Sequence, residues 1–212
     1  MKFTAVDIKQ GSVEWLQYRA GRVTGSRIAD VCAKGKTGYS SSRANYAAQL
    51  VCERLTGVVE ETFKSKAMQD GIDREAEARQ LYAFRRDVEV AEVGFVDHPT
   101  IPLSGASPDG IVTGSGLLEI KAPFAATHIE TMMGAAIPRN YHLQMQWQMA
   151  ATGADWCDYA SYHPNFPPDM RLFVRRVQRD QRLITEVEQE VRSLLAEVER
   201  TVETLKTVRM IA

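Results

Sequence analysis

The chain has 212 residues and a net charge of −1, with 44% hydrophobic and 25% charged residues. These values are typical of a soluble globular protein. No stretch has the apolar length of a membrane span, and the first residues do not form a secretory signal. The three cysteines, Cys32, Cys52 and Cys157, are far apart. Their spacing excludes a clustered zinc or iron–sulfur site and indicates a reducing compartment.

The charges are unevenly distributed along the chain. Residues 1–66 carry 11 Lys and Arg against 6 Asp and Glu, whereas residues 67–212 carry 15 against 21. A local basic excess of this kind can bind a phosphate backbone even when the total charge is near zero. A solvated surface of mixed charge explains the same numbers equally well, so charge alone leaves both interpretations open.

Helices dominate the predicted elements of the first part of the chain. Capping residues and apolar periodicity place them from Ser12 to near Gly21, from Thr24 or Ser26 through Cys32, over residues 42–55, and from Ser65 or Asp70 through Phe84. The segment 34–42, which contains lysine and glycine, is expected to be a mobile loop between two of these helices.

Strands and helices alternate in the remainder. The predicted order is a strand over 88–96, a connector over 99–102, a β-hairpin over 111–121, helices over 127–133 and 138–152, strands over 156–163 and 171–177, and an amphipathic helix from 181 to about 208. We expect this last helix to dock on the sheet, with a subunit or partner contact as the alternative. The order predicts one mixed α+β (α/β) domain with a central mixed sheet flanked by helices. Its parts are a helical, basic segment (1–66), a core (67–180) and a C-terminal helix (181–212).

The hairpin carries the residues with the clearest chemistry. Side chains alternate across a strand, so Glu119 and Lys121 lie on one face, and the turn at 114–116 brings Asp109 opposite them. Carboxylate oxygens are the ligands that Mg²⁺ prefers. A lysine beside such an ion can position or deprotonate a water molecule. The hairpin therefore predicts a site for the hydrolysis of a phosphodiester.

Pro108-Asp109 followed by Glu119-Ile120-Lys121 resembles the PD-(D/E)xK nuclease signature. Each half also has an ordinary structural explanation, because Ser-Pro-Asp-Gly is a good turn and Glu-x-Lys is common on solvated strands. Their spacing on one hairpin favours the nuclease. Glu75 would by itself be a helix-dipole partner, and Gln144 a surface residue that could orient water.

Several further blocks resemble the lambda-exonuclease (YqaJ-like) family of phage recombination nucleases, which have a restriction-endonuclease-like core. The blocks are Trp15-Leu16-Gln17-Tyr18-Arg19, Val23-Thr24-Gly25-Ser26, residues 71–75 with Ala78, Arg79 and Leu81, Ser107-Pro108-Asp109-Gly110, Glu119-Ile120-Lys121 with Pro123-Phe124, and residues 141–146. They occur in the family order over much of the chain, which is far more specific than the core motif alone.

The resemblance implies a role for each matching position. Asp109, Glu119 and the backbone carbonyl of Ile120 would bind Mg²⁺, Glu75 would lie near the metal, and Lys121 and Gln144 would handle the water. Arg19, Ser26 and Ser107 would hold the 5′-terminal phosphate, although Arg19 could instead pair with Glu14 or Asp30. Met68 would be the wedge that separates the strands.

The resemblance also implies an activity. The expected protein is a Mg²⁺-dependent, processive 5′→3′ exonuclease of double-stranded DNA ends. It would use two ions, and Mn²⁺ would be able to substitute. It would form a ring-shaped homotrimer and work with a single-strand annealing protein in the bacterial cytoplasm, as a phage or prophage protein with no membrane partner. The alternatives are a restriction-type endonuclease with the same core, an idle DNA-end-binding scaffold, and a purely structural α/β protein.

Overall fold

The computed structural model describes the backbone of residues 3–59 and 66–211, and the side chains of the same residues except 66–73 and 210–211. In chain order, the strands are β1 (Ala5–Val6), β2 (Val23–Thr24), β3 (Lys34–Gly35), β4 (Gly38–Tyr39), β5 (Val90–Ala91), β6 (Phe95–Asp97), β7 (Ser104–Ala106), β8 (Gly110–Val112), β9 (Gly116–Lys121), β10 (Trp156–Tyr162) and β11 (Leu172–Gln178). The helices are α1 (Val13–Arg19), α2 (Ile28–Val31), α3 (Ser41–Thr56), α4 (Lys66–Arg86), α5 (Ala125–Met132), α6 (Arg139–Thr152) and α7 (Gln181–Ile211).

A five-stranded mixed sheet forms the centre of the fold. Its strand order is β11-β10-β9-β8-β5. The central strand β9 pairs parallel with β10 and antiparallel with β8, and β10 and β11 also form an antiparallel pair. The predicted mixed sheet with flanking helices is therefore confirmed.

A second sheet, with the order β1-β6-β7-β2, joins the N-terminal part of the chain to the core. The prediction of one strand over 88–96 is wrong, because β5 and β6 belong to different sheets. The segment 1–66 is not purely helical either, since β1 pairs with β6 and β2 pairs with β7. These strands are only two or three residues long, which is too short for alternation to reveal them.

The segment 34–42 is not a simple loop. It contains the exposed antiparallel pair β3 and β4, followed by the start of α3, for which Ser40 is the N-cap. Contacts with α7 hold the hairpin, because the side chains of Lys34 and Tyr39 both donate hydrogen bonds to Glu190, at 2.6 and 2.7 Å. A contact between such distant segments leaves no local pattern in the sequence.

Helix α7 packs mainly against other helices. The predicted apolar stripe is buried from Val187 to Val202, whereas Leu205 is 42% exposed. Its principal neighbours are α3, α2 and α6. The expectation that it docks on the sheet is wrong, because its principal contacts are with these helices. No helix in the described part of the chain is long and apolar enough to cross a membrane.

The two faces of β9 belong to different apolar clusters. Leu117 packs in the cluster that contains Met145 and Trp147 of α6. Leu118 and Ile120 belong to the cluster with residues of α4. Because side chains alternate, Glu119 points to the same side as Leu117, toward α6.

We predict that Gly105→Ala destabilises the second sheet. A Cβ atom at Gly105 would lie 2.3 Å from the carbonyl oxygen of Val96 and 2.4 Å from the ring of Phe95. Overpacking of this kind costs about 1–3 kcal/mol in the free energy of unfolding. Thermal or urea unfolding of the purified variant measures this loss.

Gly35→Ala is the matched control, because its Cβ would be at ordinary contact distance, 3.4 Å from the nearest atom. Its unfolding free energy should change by no more than about 0.5 kcal/mol. Equal stabilities for the two variants would contradict the close packing of β6 and β7.

Candidate active site

The predicted hairpin is present and brings Asp109 beside the end of β9. Gly110 pairs with Leu118, and the turn contains the positive φ angles of Gly114 and Ser115. One oxygen of Asp109, Oδ2, accepts a hydrogen bond of 2.6 Å from the backbone N–H of Ile120. The carboxylate of Asp109 is thereby held next to that of Glu119, as the motif predicts.

Glu119 is completely buried, and three side chains donate to its carboxylate. Lys121 Nζ and Gln144 Nε2 both donate to Oε1, the latter at 2.7 Å. Gln148 Nε2 donates to Oε2 at 2.6 Å. The predicted proximity of Glu119, Lys121 and Gln144 is observed. Gln148 lies four residues after Gln144 on α6, and therefore on the same helical face.

Lys121 is held between carboxylates and an aromatic ring. Burial by itself would lower the pKa of Lys121, but the charges of Glu119 and Asp109 outweigh it, and the pKa is raised. The ammonium also lies over the ring of Tyr141, 4.8 Å from its centroid. Lys121 therefore donates to the carboxylate of Glu119 and lies over an aromatic ring at the end of the hairpin.

The charged forms of two other carboxylates, those of Asp109 and Glu75, are destabilised by their surroundings. Burial raises the pKa of Asp109 well above its ordinary value, and the negative charge of Glu119 acts in the same direction. Burial likewise raises the pKa of Glu75, with Glu119 contributing and Lys121 opposing. Acidic groups in this state gain stability from a nearby positive charge.

Arg79 attaches helix α4 to the hairpin. Its Nε donates to the backbone oxygen of Asp109 at 2.8 Å, and its guanidinium pairs with Glu92 at 2.7 Å. Glu75 lies one helical turn before Arg79, so this contact brings Glu75 toward the other carboxylates. Both Glu75 and Asp109 line the same cavity.

This cavity has a volume of about 480 Å³ and connects the hairpin with the basic N-terminal segment. Arg19 and Ser26 line it together with Glu75 and Asp109, so the structure brings two of the three predicted phosphate-binding residues to the site. The volume lies in the range of small-molecule sites.

Arg19 has no carboxylate partner among the described residues. Its guanidinium stacks on the ring of Trp15 at 3.7 Å, and its Nε is buried without a hydrogen-bond partner in the described part of the chain. Burial lowers the pKa of Arg19 to about 10, so the group stays charged at neutral pH. Asp30, one of the alternative partners, pairs with Arg27 at 2.7 Å instead.

Trp15 connects the remaining predicted residue to this group. Its indole N–H donates to Ser107 Oγ at 3.0 Å. The predicted anchors Arg19 and Ser107 thus contact the same aromatic side chain, a role of Trp15 that the sequence interpretation missed. The only local signal is the spacing of Trp15 and Arg19, four residues apart on one helix face.

The predicted roles of these residues in binding metal, water and phosphate stay predictions, and so do the two that follow. The side chain of Met68, the candidate wedge, lies outside the described residues. The backbone N–H of Ile120 bonds to Asp109, whereas its carbonyl oxygen stays a predicted metal ligand.

The donor chemistry of the site fits a hard divalent cation. The candidate ligands are carboxylate oxygens, which a hard divalent cation prefers, and burial together with the charge of Glu119 raises the pKa of Asp109. The described side chains contain no group of three or more His, Cys, Asp or Glu arranged to hold a metal. The candidate set is therefore the pair Asp109 and Glu119, with Glu75 as a neighbour. Each carboxylate oxygen has two lone pairs, so the hydrogen bonds to Glu119 leave room for a further contact.

We predict that Mg²⁺ raises the melting temperature of the protein and that Asp109→Asn abolishes this increase. Ligand binding to the native state stabilises it, by about 2.7 kcal/mol at a hundredfold excess over the dissociation constant. The variant removes one buried negative charge, so its stability without metal should not fall. Melting curves with and without Mg²⁺ provide the measurement.

Asp169→Asn serves as the control for this experiment, since Asp169 is exposed and lies outside the site. It should keep the full increase in melting temperature. An undiminished increase in Asp109→Asn would show that Asp109 is not a metal ligand.

The chain is similar to several known proteins. A family model described as "YqaJ-like viral recombinase domain" matches residues 14–155, which include both the hairpin and the N-terminal arginines. The uncharacterized protein R354 of Acanthamoeba polyphaga mimivirus is 29% identical over 167 residues, which cover 71% of this chain and 28% of that protein. The chain thus spans less than a third of the length of that relative.

Solved structures confirm the predicted fold. The alkaline exonuclease LHK-Exo from Laribacter hongkongensis is 46% identical, with a TM-score of 0.88, and the match covers 95% of this chain and 100% of that one. Its complex with dAMP gives a TM-score of 0.87 at the same identity and coverage. A phage related exonuclease from Haemophilus somnus 129PT is 14% identical with a TM-score of 0.68, covers 87% of this chain and 96% of that one, and shares the fold.

Proposed function

The chain belongs to the YqaJ-like viral recombinase family, and on this premise we propose that it is a nuclease that shortens double-stranded DNA from its ends. The observation that carries the proposal is one cavity whose wall contains both the carboxylate of Asp109 and the guanidinium of Arg19, which has no acidic partner among the described residues. Such a cavity combines groups for hydrolysis with a group for binding a terminal phosphate.

The chemical step belongs to the hairpin. Asp109 and Glu119 would hold Mg²⁺, or Mn²⁺ in its place, with the Ile120 carbonyl as a further ligand and Glu75 near the site. When bound, two such ions supply positive charge that activates water and stabilises the oxygen leaving the scissile phosphate. Lys121 and Gln144 would orient the water. Both lie beside the proposed metal ligands, since each donates to the carboxylate of Glu119. These groups match the PD-(D/E)xK pattern.

The direction of digestion would follow from the N-terminal segment. A terminal phosphate carries more charge than an internal one, and a guanidinium can bind it with two parallel hydrogen bonds. Arg19 is available for this contact, and Ser26 and Ser107 would add hydroxyl donors. Ser107 lies two residues from Asp109, so a 5′-phosphate held there would lie near the hydrolytic groups. We therefore infer 5′→3′ polarity, which leaves a 3′ single-stranded overhang.

Similarity to LHK-Exo supports DNA as the substrate. That exonuclease has been crystallised in complex with dAMP, a deoxynucleoside monophosphate of the kind released by DNA hydrolysis. We further propose the assembly that the family resemblance implies, a ring-shaped homotrimer. It would digest processively and supply the overhang to a single-strand annealing protein in a bacterial cell that carries the phage or prophage.

One substrate comparison separates this function from its alternatives. We expect degradation of linear duplexes in the presence of Mg²⁺, faster with 5′-phosphate than with 5′-hydroxyl ends, and no cutting of covalently closed circles. A restriction-type endonuclease would cut the circles. An idle end-binding scaffold would bind linear DNA without degrading it.

Lys121→Ala should separate chemistry from binding. We predict that turnover falls by about a hundredfold or more, which is the typical contribution of one acid–base or positioning group to the rate. Affinity for DNA should change far less, because one charge among several phosphate contacts is a small part of the total. Single-turnover degradation and fluorescence titration with DNA measure the two quantities.

Lys206→Ala is the control for the lost charge, since Lys206 lies on α7 and pairs with Glu203 at 2.8 Å. It should keep wild-type turnover. If Lys121→Ala loses affinity and turnover to the same extent, Lys121 is a backbone contact and has no role in the chemistry.

Arg19→Ala should erase the preference for 5′-phosphorylated ends. The physical reason is the loss of the one pocket arginine that has neither an ion pair nor a side-chain hydrogen bond among the described residues. The ratio of degradation rates on phosphorylated and hydroxyl ends should fall to near one. Initial rates on matched linear duplexes measure it.

Arg22→Ala provides the comparison, because Arg22 lines the same cavity but pairs with Asp97 at 3.3 Å. Its rate ratio should stay close to that of the wild type. A wild-type ratio in Arg19→Ala would exclude Arg19 as the phosphate anchor.

A further inference from the structure

We propose that Gln148 is a positioning residue that sets the orientation of the Glu119 carboxylate for metal binding. The inference rests on the proposed metal site and adds a group to it that does not contact substrate. It is argued from the contacts of Gln148, from its burial and from the fact that its amide is neutral.

The first argument is geometric. Gln144 and Gln148 lie one turn apart on α6 and reach the same carboxylate, one at each oxygen. Two donors on different oxygens fix the plane of a carboxylate as well as its position. With only the contacts of Lys121 and Gln144, which both reach Oε1, the group could still rotate about its terminal torsion, which is broad for glutamate.

The second argument is burial. Gln148 is 1% exposed and Glu119 is 0% exposed, whereas Gln144 is partly exposed. Gln148 therefore cannot reach DNA or a hydrolytic water, and any effect it has on the reaction passes through Glu119. Its own oxygen, Oε1, has no partner in the described part of the chain, so its contact with Glu119 is the one polar interaction of its amide there.

The orientation of the amide follows from the chemistry of its neighbour. An ionised carboxylate can only accept hydrogen bonds, so the NH₂ group of Gln148 must face it. Burying the oxygen of Gln148 without a hydrogen-bond partner costs free energy, as it does for any desolvated polar group. The burial of a glutamine here is thus explained by its bond to Glu119 and by no other contact of its amide.

The third argument concerns charge. Lys121 already places one positive charge on Glu119, and a second cation at residue 148 would compete with a metal for the same carboxylate. A neutral amide orients Glu119 and leaves its negative charge available. Groups that orient metal ligands in this way change metal affinity or activity by about 10–100-fold when they are removed.

Gln148→Met tests the proposal with Gln146→Met as a matched control. Both glutamines are buried on α6, but Gln146 bonds to the backbone of Gln178 and Asp180, each at 2.8 Å, and has no contact with Glu119. Mg²⁺ alone is titrated calorimetrically into each full-length protein without DNA. Degradation of 5′-phosphorylated duplex is then measured over a range of Mg²⁺ concentrations.

Both variants should lose thermal stability, because each loses a buried hydrogen bond. In a chain of this size we expect the melting temperature to fall by about 2–4 °C. Only Gln148→Met should weaken Mg²⁺ binding, by about tenfold or more. Its turnover should recover at high Mg²⁺, while its KM for DNA stays unchanged. If Gln148→Met does not fold, Gln148→Asn, which keeps an amide but is one methylene too short to reach Glu119, takes its place with the same expectation.

Equal Mg²⁺ affinity in the Gln148 variant and the wild type overturns the proposal, as does an equal loss in Gln146→Met. Failure of the proposed function has a different signature. In that case the wild type itself binds no Mg²⁺ and degrades no linear duplex, and Asp109→Asn is indistinguishable from it in both measurements.

Discussion

The burial of one carboxylate in the middle of the sheet constrains the whole site. Glu119 lies on the central strand with no exposed surface, where an isolated anion would be strongly destabilised. Its two oxygens are satisfied by donors from β9 itself and from α6. Helix α6 must therefore pack at a fixed distance and rotation against β9, and this requirement links the hairpin, the helix and the apolar cluster around Trp147 into one unit.

The same unit extends toward the N-terminus through aromatic contacts. Trp147 donates to the backbone oxygen of Gly105 on β7 at 2.9 Å. Trp15 donates to Ser107, two residues further along the chain. Trp15 also supports the guanidinium of Arg19. The basic segment and the acidic hairpin are thus joined by short, directional contacts, which hold groups of opposite charge in one cavity without neutralising them.

This separation of charges is what the proposed activity requires. Carboxylates that met arginines directly would form ion pairs, and neither would be free for a metal or a phosphate. In the structure, Arg22 pairs with Asp97 and Arg27 with Asp30, and Glu53 accepts bonds from Gly21 and Gln49. Among the described residues, Arg19 contacts the ring of Trp15 and has no acidic partner. Lys121 occupies the acidic end, where the pull of two carboxylates raises its pKa despite burial.

The sequence by itself determined the features that depend on neighbouring residues. Ser12 caps α1, Gly57 and Gly153 end helices in the left-handed conformation, and the hairpin pairs Asp109 with the end of β9, because caps, turns and alternation are local. Only the tertiary structure decided that β5 and β6 separate into two sheets, that α7 packs on helices, and that Trp15 joins Arg19 to Ser107. It also decided that Gln148 reaches Glu119 while Gln146, two residues earlier, bonds to the backbone at the end of β11 and just after it. These outcomes depend on contacts between residues that are distant in the chain, and such contacts leave no period or spacing in the sequence.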